Sequence, residues 1–429
     1  MEKKVSFYTL GCRLNSAETE EIAAGFKKRG FAIVPFSEAA DIVYINTCTV
    51  TDKADASSRN TIKRAKKISP NAIIIVAGCY AQMDSERIAQ IEGIDLILGT
   101  QEKDKVFEYL DSLDNLDIHI KQNNDFWLAS TTNEAGAHTR AFLKIQDGCN
   151  YMCSYCIIPF ARGRSRSVDL EQAIDRAKRL VNDGFKEIVL TGINIGEYND
   201  NAGNRLEDLV EALLSIEGLE RFRLGSVEPN TYTDKLLNIL KASSKFQPYF
   251  HIPLQSGDDD LLKKMRRRYT TDDYKKLIFK INELFPNVGI GADVITGYPE
   301  ETEEHFSNTY KFMESLPLTH FHVFTYSVRK GTTAAKLKQI DGATKKARTA
   351  KLIELGDKKY DYFVQKNIGE EHKVLFESKN SRGAYEGYTG NFIRVSCSNG
   401  IELANTIKNV HIKDYQDSLA EVELLETKE

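Results

Sequence analysis

No stretch of the 429-residue chain is apolar for long enough to cross a bilayer. The longest apolar run near the front, Ala72 to Ala77, is far short of the roughly 20 residues a spanning helix needs. The start, Met1-Glu2-Lys3-Lys4-Val5-Ser6-Phe7, lacks the apolar segment of a signal peptide. There is no excess of positive charge either: 58 Lys and Arg stand against 62 Asp and Glu, a net charge of −4. That excludes nucleic-acid binding by bulk charge and leaves open a local basic face. No long low-complexity tract occurs. Seven cysteines without an export signal do not make a disulfide framework; in a reducing compartment such cysteines are metal ligands or catalytic groups. A soluble, cytoplasmic protein with no membrane partner is expected. What remains is ordinary globular composition, 41% hydrophobic and 28% charged, at a length that suits about three domains.

Six of the seven cysteines fall into two sets of three. Cys149, Cys153 and Cys156 lie on one loop, after the strand-like run Ala141 to Ile145 and before Arg162, Arg164 and Arg166. Thiolate sulfur suits zinc or an iron–sulfur cluster. Zinc structural sites usually draw on two cysteine pairs far apart in the chain, whereas here three ligands share a loop with no nearby fourth. A 4Fe-4S cluster held by three thiolates keeps one iron open to a small ligand. The second set is dispersed. Val5–Leu10 runs into Gly11-Cys12, Asp41–Thr47 into Cys48, and Ala72–Ala77 into Gly78-Cys79. Each is a β-rich run ending in cysteine, and helical stretches (Glu18–Arg29, Asp55–Lys67) separate them. Strand–helix–strand alternation gives a parallel sheet, and ligands of such sheets sit beyond the strands' carboxyl ends. That geometry brings Cys12, Cys48 and Cys79 to one edge and favours a metal site over three separate buried thiols. Cys397 is left over as a small buried residue.

A further strand at Ile94–Gly99 and a helix at Glu102–Ser112 complete the first segment. A polar stretch around Gln122–Asp125 and Ser130–Gly136, with the only tryptophan, Trp127, between its parts, reads as a linker and places a boundary near residue 134. Beyond it six strand–helix units follow, with strands at Ala141–Ile145, Glu187–Thr191, Arg221–Ser226, Tyr249–Pro253, Gly289–Ile295 and His320–Tyr326. Six parallel strands make an open, partial relative of the (βα)8 barrel, with function at the strands' C-terminal ends. The sequence there is polar or glycine-rich, offering Gly192, Asn194, Ser226, Glu228, Gln255 and Asp293 as ligand contacts. Gly342–Asp361 is a lysine-rich helical connector. After it come short strands at His372–Glu377, Ala384–Tyr388, Asn391–Cys397 and Thr406–Ile412, separated by turns such as Ser398-Asn399-Gly400, which predict a small β-barrel of a kind that binds nucleic acid. Its charge warns against bulk attraction, with seven Lys and Arg against eleven Asp and Glu from Asn367 to Glu429. Local contact with RNA is assigned to the basic runs Arg162-Gly163-Arg164-Ser165-Arg166 and Lys263–Arg268, the latter beside Tyr269.

The chain as a whole resembles the methylthiotransferases, radical S-adenosylmethionine enzymes with two clusters. The matching elements are Thr9-Leu10-Gly11-Cys12, Asn46-Thr47-Cys48, Gly78-Cys79, the C-x3-C-x2-C loop from Cys149 with Tyr155 before its last cysteine, His251-Ile252-Pro253-Leu254-Gln255-Ser256-Gly257, and Tyr326-Ser327-Val328-Arg329-Lys330-Gly331-Thr332. The resemblance implies an α/β protein of three parts: an N-terminal parallel α/β domain over 1–134, a partial (βα)6 radical core over 135–366, and a small all-β barrel of the TRAM type over 367–429. Asn46–Thr51 and Arg140–Cys149 look like the branch that acts on N6-threonylcarbamoyladenosine at position 37 of tRNA. The isopentenyladenosine branch typically has Arg-Glu where this chain has Asp52-Lys53-Ala54, and the ribosomal-protein branch an acidic residue in place of Arg329. Glu300 departs from the glycine that many relatives have there.

What the family does implies the roles. Cys149, Cys153 and Cys156 would hold the 4Fe-4S cluster that binds S-adenosylmethionine and generates a 5′-deoxyadenosyl radical, and Cys12, Cys48 and Cys79 an auxiliary 4Fe-4S cluster that carries the sulfur. Tyr155, Gly192, Asn194, Ser226, Glu228, Gln255 and Asp293 would line the S-adenosylmethionine site. Arg162, Arg164, Arg266, Arg267 and Arg268 would grip the tRNA anticodon arm, and Arg329 would face the charged threonylcarbamoyl group. An electron donor such as flavodoxin or ferredoxin is implied. The competing readings are methylthiolation of isopentenyladenosine or of a ribosomal protein and, from another class, an RNA-binding protein with structural metal sites.

Overall fold

The computed structural model describes residues 2–113, 115–121, 125–132, 139–398, 401–416 and 418–425. The chain opens with β1 (Lys4–Thr9), α1 (Arg13–Lys28), β2 (Ala32–Val34), β3 (Ile42–Thr47), α2 (Asp52–Ile68), β4 (Ile73–Gly78), α3 (Cys79–Met83), α4 (Ser85–Ala89), β5 (Leu96–Leu98), α5 (Val106–Asp111) and β6 (Asp117–His119). The six strands pair in parallel in the order β2-β1-β3-β4-β5-β6. β3 is buried along its whole length because both faces are covered, which is why it reads as a continuous apolar run rather than an alternating one. The order reverses between β1 and β3, and in such sheets the crevice at that switch point is where ligands bind. Two edge strands, β2 and β6, escape the sequence reading because three residues are too few to show a period. The helix expected at Glu102–Ser112 is instead a 3-10 turn, Lys103–Lys105, leading into α5.

The described part of the expected linker is packed. Ser130 bridges to Leu143, and the Lys144 ammonium lies over the Phe126 and Trp127 rings at 5.3 and 5.4 Å. The boundary placed near residue 134 falls outside the described residues, as do Gln122–Asn124 and the turn residues Asn399 and Gly400.

The central part runs through β7 (Arg140–Lys144), β8 (Gln146–Asp147), α6 (Ile158–Arg162), β9 (Arg166–Ser167), α7 (Leu170–Asn182), β10 (Glu187–Thr191), α8 (Leu206–Leu214), β11 (Arg221–Arg223), α9 (Asp234–Ala242), β12 (Tyr249–His251), α10 (Asp259–Lys264), α11 (Thr271–Leu284), β13 (Gly289–Thr296), α12 (Glu303–Ser315) and β14 (His320–Thr325). β7, β10 and β11 form one parallel sheet and β12, β13 and β14 another. Parallel bridges Phe222–Phe246 and Ser226–His251 join them into one open arc of six strands. The helices present apolar stripes to it: Leu206, Leu209, Val210 and Leu213 of α8 are buried at helical spacing.

The helix α13 (Gly342–Gln365) is more than a connector. Its Leu352 and Leu355 belong to the central core, while Phe363 and Val364 belong to the core of the next unit. That unit is a closed barrel of β15 (Glu371–Lys379), β16 (Tyr385–Tyr388), β17 (Arg394–Cys397), β18 (Ile407–Gln416) and β19 (Leu419–Leu424), with Cys397 buried inside. β19 was not anticipated, although Leu419, Glu421 and Glu423 do alternate with Ala420, Val422 and Leu424.

A buried carboxylate fixes the barrel to the arc. Glu187 accepts from Arg221 at 2.7 Å and Arg223 at 3.0 Å. The same guanidinium groups donate onward to barrel carbonyls, Arg221 to Lys373 at 3.1 Å and Arg223 to Gly390 and Thr389, each at 2.8 Å. Gly289 lets the two units touch, since a Cβ there would lie 2.2 Å from the Asn391 carbonyl oxygen. Burial opposes ionisation of Glu187, but Arg223, Arg221 and Arg140 together bring its carboxyl down to about 2. A carboxyl depressed from an unfolded value of about 4.3 stabilises the fold at neutral pH and loses that contribution as pH falls from about 4.3 towards 2. Glu187→Ala leaves two buried guanidinium groups short of an anion, for which a loss of about 3–5 kcal/mol is expected. Urea denaturation of wild type and variant at pH 7 measures this, and the gap between them should narrow below pH 4.

Candidate active site between two cysteine trios

At the switch point of the N-terminal sheet, Cys12 caps α1, Cys48 follows β3, and Cys79 opens α3. Gly11 has φ +97°, and a Cβ on it would lie 2.8 Å from Cys48 Cβ and 3.0 Å from its Sγ, so a glycine is needed for the Cys12 turn to lie on Cys48. Asn15 ties the turns together. Its Nδ2 donates to the carbonyls of Leu10 at 2.8 Å and Thr47 at 3.1 Å, while Thr47 Oγ1 donates to the Ala77 carbonyl at 2.6 Å. The surrounding protein atoms desolvate and so raise the Cys12 thiol, although the residue reaches solvent, and burial pushes Cys48 up to about 12.

The second trio lies between β8 and α6. The Tyr151 N–H donates to Cys149 Sγ at 3.3 Å, and Arg267 Nη1 to Cys153 Sγ at 3.2 Å. Arg267 also pairs with Glu228. Burial pushes the Cys149 and Cys156 thiols up to about 12. A metal that binds such thiols takes the proton's place, which is how metal binding couples to protonation at cysteine sites. Next to the trio, Gln146 Oε1 accepts from the backbone N–H groups of Ile193 at 3.0 Å and Asn194 at 2.8 Å, and Glu197 accepts from Asn150 N–H at 3.1 Å. This holds the turn after β10 against the cysteine loop. Both amide atoms of the buried Asn194 side chain lack a hydrogen-bond partner among the described residues. A buried orphan amide is costly and marks a place for a polar ligand.

One cavity of about 250 Å³ lies between Cys156 of the second trio and the residues that follow Cys48 of the first. Val50 and Thr51, just after Cys48, form one wall; Tyr155, Cys156 and Ile157 form another; Gln255, Asp293 and Phe324 supply strand ends from β12 to β14. Asp293 Oδ1 accepts from His251 at 2.8 Å and His322 at 3.1 Å. Against the burial that raises it, those imidazoles hold the Asp293 carboxyl well below the ordinary range. Among the described residues these three are the group of His, Cys, Asp and Glu spaced to suit a single ion. His251 belongs to a motif recognised in the sequence, but its pairing with His322 depends on the register of β12, β13 and β14.

The residues assigned to S-adenosylmethionine divide by contact. Tyr155, Gln255 and Asp293 line the cavity; Gly192 and Asn194 lie on the turn held by Gln146; Glu228 reaches the cysteine loop through Arg267. Ser226 pairs with His251 at the join of the two sheets. The cations assigned to RNA divide more sharply. Arg164, Arg266 and Arg268 are exposed, with Arg268 stacked on Tyr151 at 3.8 Å. Arg162 is wholly buried, bound by Glu18 at 3.1 Å, Asp147 at 3.0 Å and Asn15 at 2.7 Å, so it offers nothing to a phosphate. The Arg267 guanidinium is likewise spent on Glu228 and Cys153. Arg329 is not a free cation beside the cavity: it pairs with Asp52, with Asp55 at 2.7 Å, and with the Thr49 carbonyl at 3.1 Å. All three misassignments have one cause, that basic residues in a run look alike until their carboxylate partners are located.

Six parallel strands in an open arc, with a three-cysteine loop beyond the first strand, define a radical S-adenosylmethionine core. Residues 143–313 match the radical SAM superfamily, and residues 4–99 match the uncharacterized protein family UPF0004. The fold is similar to that of the radical S-adenosylmethionine methyltransferase TsrM of Kitasatospora setae, with a TM-score of 0.55 over 78% of this chain and 77% of that one at 14% identity. The chain is 38% identical to the threonylcarbamoyladenosine tRNA methylthiotransferase MtaB of Bacillus subtilis, over 95% of its own length and 93% of the relative's. It is 39% identical to the protein of that name from Aquifex aeolicus, over 88% and 93%. It is also 33% identical to the tRNA-2-methylthio-N(6)-dimethylallyladenosine synthase of Fusobacterium nucleatum, over 96% and 97%. The chain therefore belongs to the radical S-adenosylmethionine methylthiotransferases, enzymes that use a 4Fe-4S cluster and S-adenosylmethionine. Among the described residues no helix is long and apolar enough to cross a membrane.

Arg329 holds the cavity wall. Asp52 and Asp55 sit in the first turn of α2, where carboxylates also suit the helix dipole, and Ser327 Oγ accepts from the Asp52 N–H at 2.9 Å. Arg329→Leu removes every one of the guanidinium contacts. Because Asp52 is largely exposed, a stability loss of about 2 kcal/mol is expected rather than the full cost of breaking a buried pair. Equilibrium denaturation reads the loss, and protease cleavage near residues 49–56 should rise; an unchanged cleavage pattern would contradict this role of Arg329.

Proposed function

We propose that the chain adds a methylthio group to carbon 2 of N6-threonylcarbamoyladenosine in tRNA, using one 4Fe-4S cluster on Cys149, Cys153 and Cys156 and a second on Cys12, Cys48 and Cys79. The observation that carries this reading is the single cavity whose walls follow directly from Cys48 on one side and include Cys156 on the other. When bound, the clusters and S-adenosylmethionine supply a radical able to activate an unactivated carbon–hydrogen bond and the sulfur and methyl group that replace the hydrogen. The protein's part is placement and shielding. Tyr155, Gln255 and Asp293 line the space beside the radical trio, and Asn194 offers an unpaired amide to the bound S-adenosylmethionine. Phe324 and Val50, large apolar side chains that are half exposed, form a lip on which an adenine can lie. Arg164, Arg266 and Arg268 are the cations left for tRNA phosphates. The threonylcarbamoyl substrate is favoured over the isopentenyl one by the names of the relatives from Bacillus subtilis and Aquifex aeolicus and by Asp52-Lys53-Ala54 after the second cysteine. The reading divides the chain at 134 and 366, takes electrons from a donor such as flavodoxin or ferredoxin, and works in the cytoplasm.

Mass spectrometry of tRNA nucleosides decides the substrate. The methylthio form of threonylcarbamoyladenosine should vanish on deletion of the gene and return with the wild-type chain, but not when Cys12, Cys48 and Cys79 are all changed to Ala. In vitro, that triple variant should still make 5′-deoxyadenosine while Cys153→Ala makes none. Loss of the isopentenyl product instead would reassign the substrate.

Asn194→Leu tests the cofactor pocket separately. Relieving a buried orphan amide should leave the apo chain as stable or more stable. Affinity for S-adenosylmethionine should fall about tenfold, the equivalent of about 1.4 kcal/mol. Equilibrium dialysis against the labelled cofactor reads this, and unaltered binding would remove Asn194 from the pocket.

A further inference from the structure

A buried network of five charged side chains carries more positive than negative charge. Lys103, Lys144 and Arg162 are all but fully buried, as are Glu18 and Asp147. Glu18 binds Lys103 at 2.7 Å, Lys144 at 2.7 Å and Arg162 at 3.1 Å; Asp147 binds Lys144 at 2.8 Å and Arg162 at 3.0 Å and is also drawn on by Arg166 at 3.2 Å. Three cations face two carboxylates, an excess of 3 − 2 = 1 buried positive charge even before Arg166 is counted. Buried charge without a counter-charge is expensive, so the excess points to an anion that belongs at the place.

The network is one side chain away from each N-terminal cysteine. Arg162 Nη2 donates to Asn15 Oδ1 at 2.7 Å, and Asn15 Nδ2 grips the carbonyls of Leu10 and Thr47, in the turns that lead to Cys12 and Cys48. Lys103 donates to Asn46 Oδ1 at 2.8 Å, and a Cβ on Gly78, the residue before Cys79, would lie 2.7 Å from that same oxygen. Arg162 is also electrostatically coupled to all three thiols, and Lys103 to Cys79.

We infer that Arg162 and Lys103 are positioning residues for the auxiliary cluster: they supply the counter-charge to the anion held by Cys12, Cys48 and Cys79, and thereby raise its reduction potential. This rests on the reading that these cysteines hold a 4Fe-4S cluster. Three thiolates outweigh a doubly charged cubane core, so such a group is anionic, and one more electron makes it more so. Net charge and nearby dipoles are among the factors that set cluster potentials. Arg162 comes from the radical core, six residues after Cys156 in sequence, and α6 is seated on the N-terminal domain by Thr100 Oγ1 donating to the Ala161 carbonyl at 2.7 Å and Gln101 Nε2 to the Arg162 carbonyl at 3.0 Å. The auxiliary site is therefore completed by the neighbouring domain, from the segment that also holds the first cluster.

The test uses the full chain with Cys149, Cys153 and Cys156 changed to Ala, reconstituted anaerobically with iron and sulfide, and a redox titration followed by electron paramagnetic resonance. Lys103→Met and Arg162→Gln should each shift the midpoint to more negative potential with iron content retained. Glu18→Gln, which removes a negative charge from the same network, should shift it the other way, and Arg162→Lys should sit near the parent. A role in folding alone would not make the sign of the shift follow the sign of the charge removed. Midpoints that stay put, or move the same way in all variants, would overturn the inference. Loss of iron from Arg162→Gln but not from Arg162→Lys supports the same need for charge, and Lys103→Met serves if Arg162→Gln does not fold. A parent protein with no reducible cluster would overturn the assignment of Cys12, Cys48 and Cys79 as ligands, and this inference with it.

Discussion

The carboxylate of Glu18 is the contact on which the arrangement of the molecule depends. It lies on α1 of the N-terminal sheet yet binds Lys144 and Arg162 of the central arc as well as its own domain's Lys103. Taking one carboxylate and three cations out of water costs several kcal/mol per ion, and only close geometry with further hydrogen bonds offsets it. The geometry is close, and the cations hold the Glu18 carboxyl well below the ordinary range despite complete burial. Such a network contributes little net stability compared with a well-packed apolar contact, but it tolerates few alternatives in register. Its effect is to fix where the switch-point crevice of one sheet faces the strand ends of the other.

The other junctions are built in the same way. Arg329 closes on Asp52 and Asp55 beside the cavity, and Arg221 and Arg223 share Glu187 while donating to the barrel. Arginine suits this task because its fork satisfies a carboxylate and a carbonyl at once and keeps its charge when buried. On the proposed function, which sets two reactive centres near one cavity of about 250 Å³, the protein gains from junctions that are strict in geometry.

Much of this was legible in the sequence, and the limits follow from physics. The strands ending in Cys48 and Cys79 and the central β10 were visible because buried parallel strands are nearly continuous runs of apolar, β-branched residues, whereas β1 and β14, partly exposed, showed through their aromatic and β-branched content. The three-residue strands β2 and β6 were not, having no room for a pattern. Arg162, Arg267 and Arg329 were read as surface cations because a basic residue's partner can lie far along the chain: Glu18 is 144 residues from Arg162, and Asp55 is 274 from Arg329. One signal was present and overlooked. Glu18 sits four residues after Leu14 and four before Ile22, on the buried stripe of α1, where a carboxylate belongs only if cations meet it.

The helix α13 has a consequence beyond joining two units. Its 24 residues make a rod about 36 Å long, with one part rooted in the core of the arc and its far end in the core of the barrel. Because Leu352 and Leu355 in its middle and Phe363 and Val364 at its end are packed in different cores, the helix joins arc and barrel as a stiff strut and not as a flexible tether. The separation of the two cores along the helix is set by its geometry. A polymer long enough to touch both would meet two points at a set separation, so its fit would depend on length as well as on the chemistry at either one.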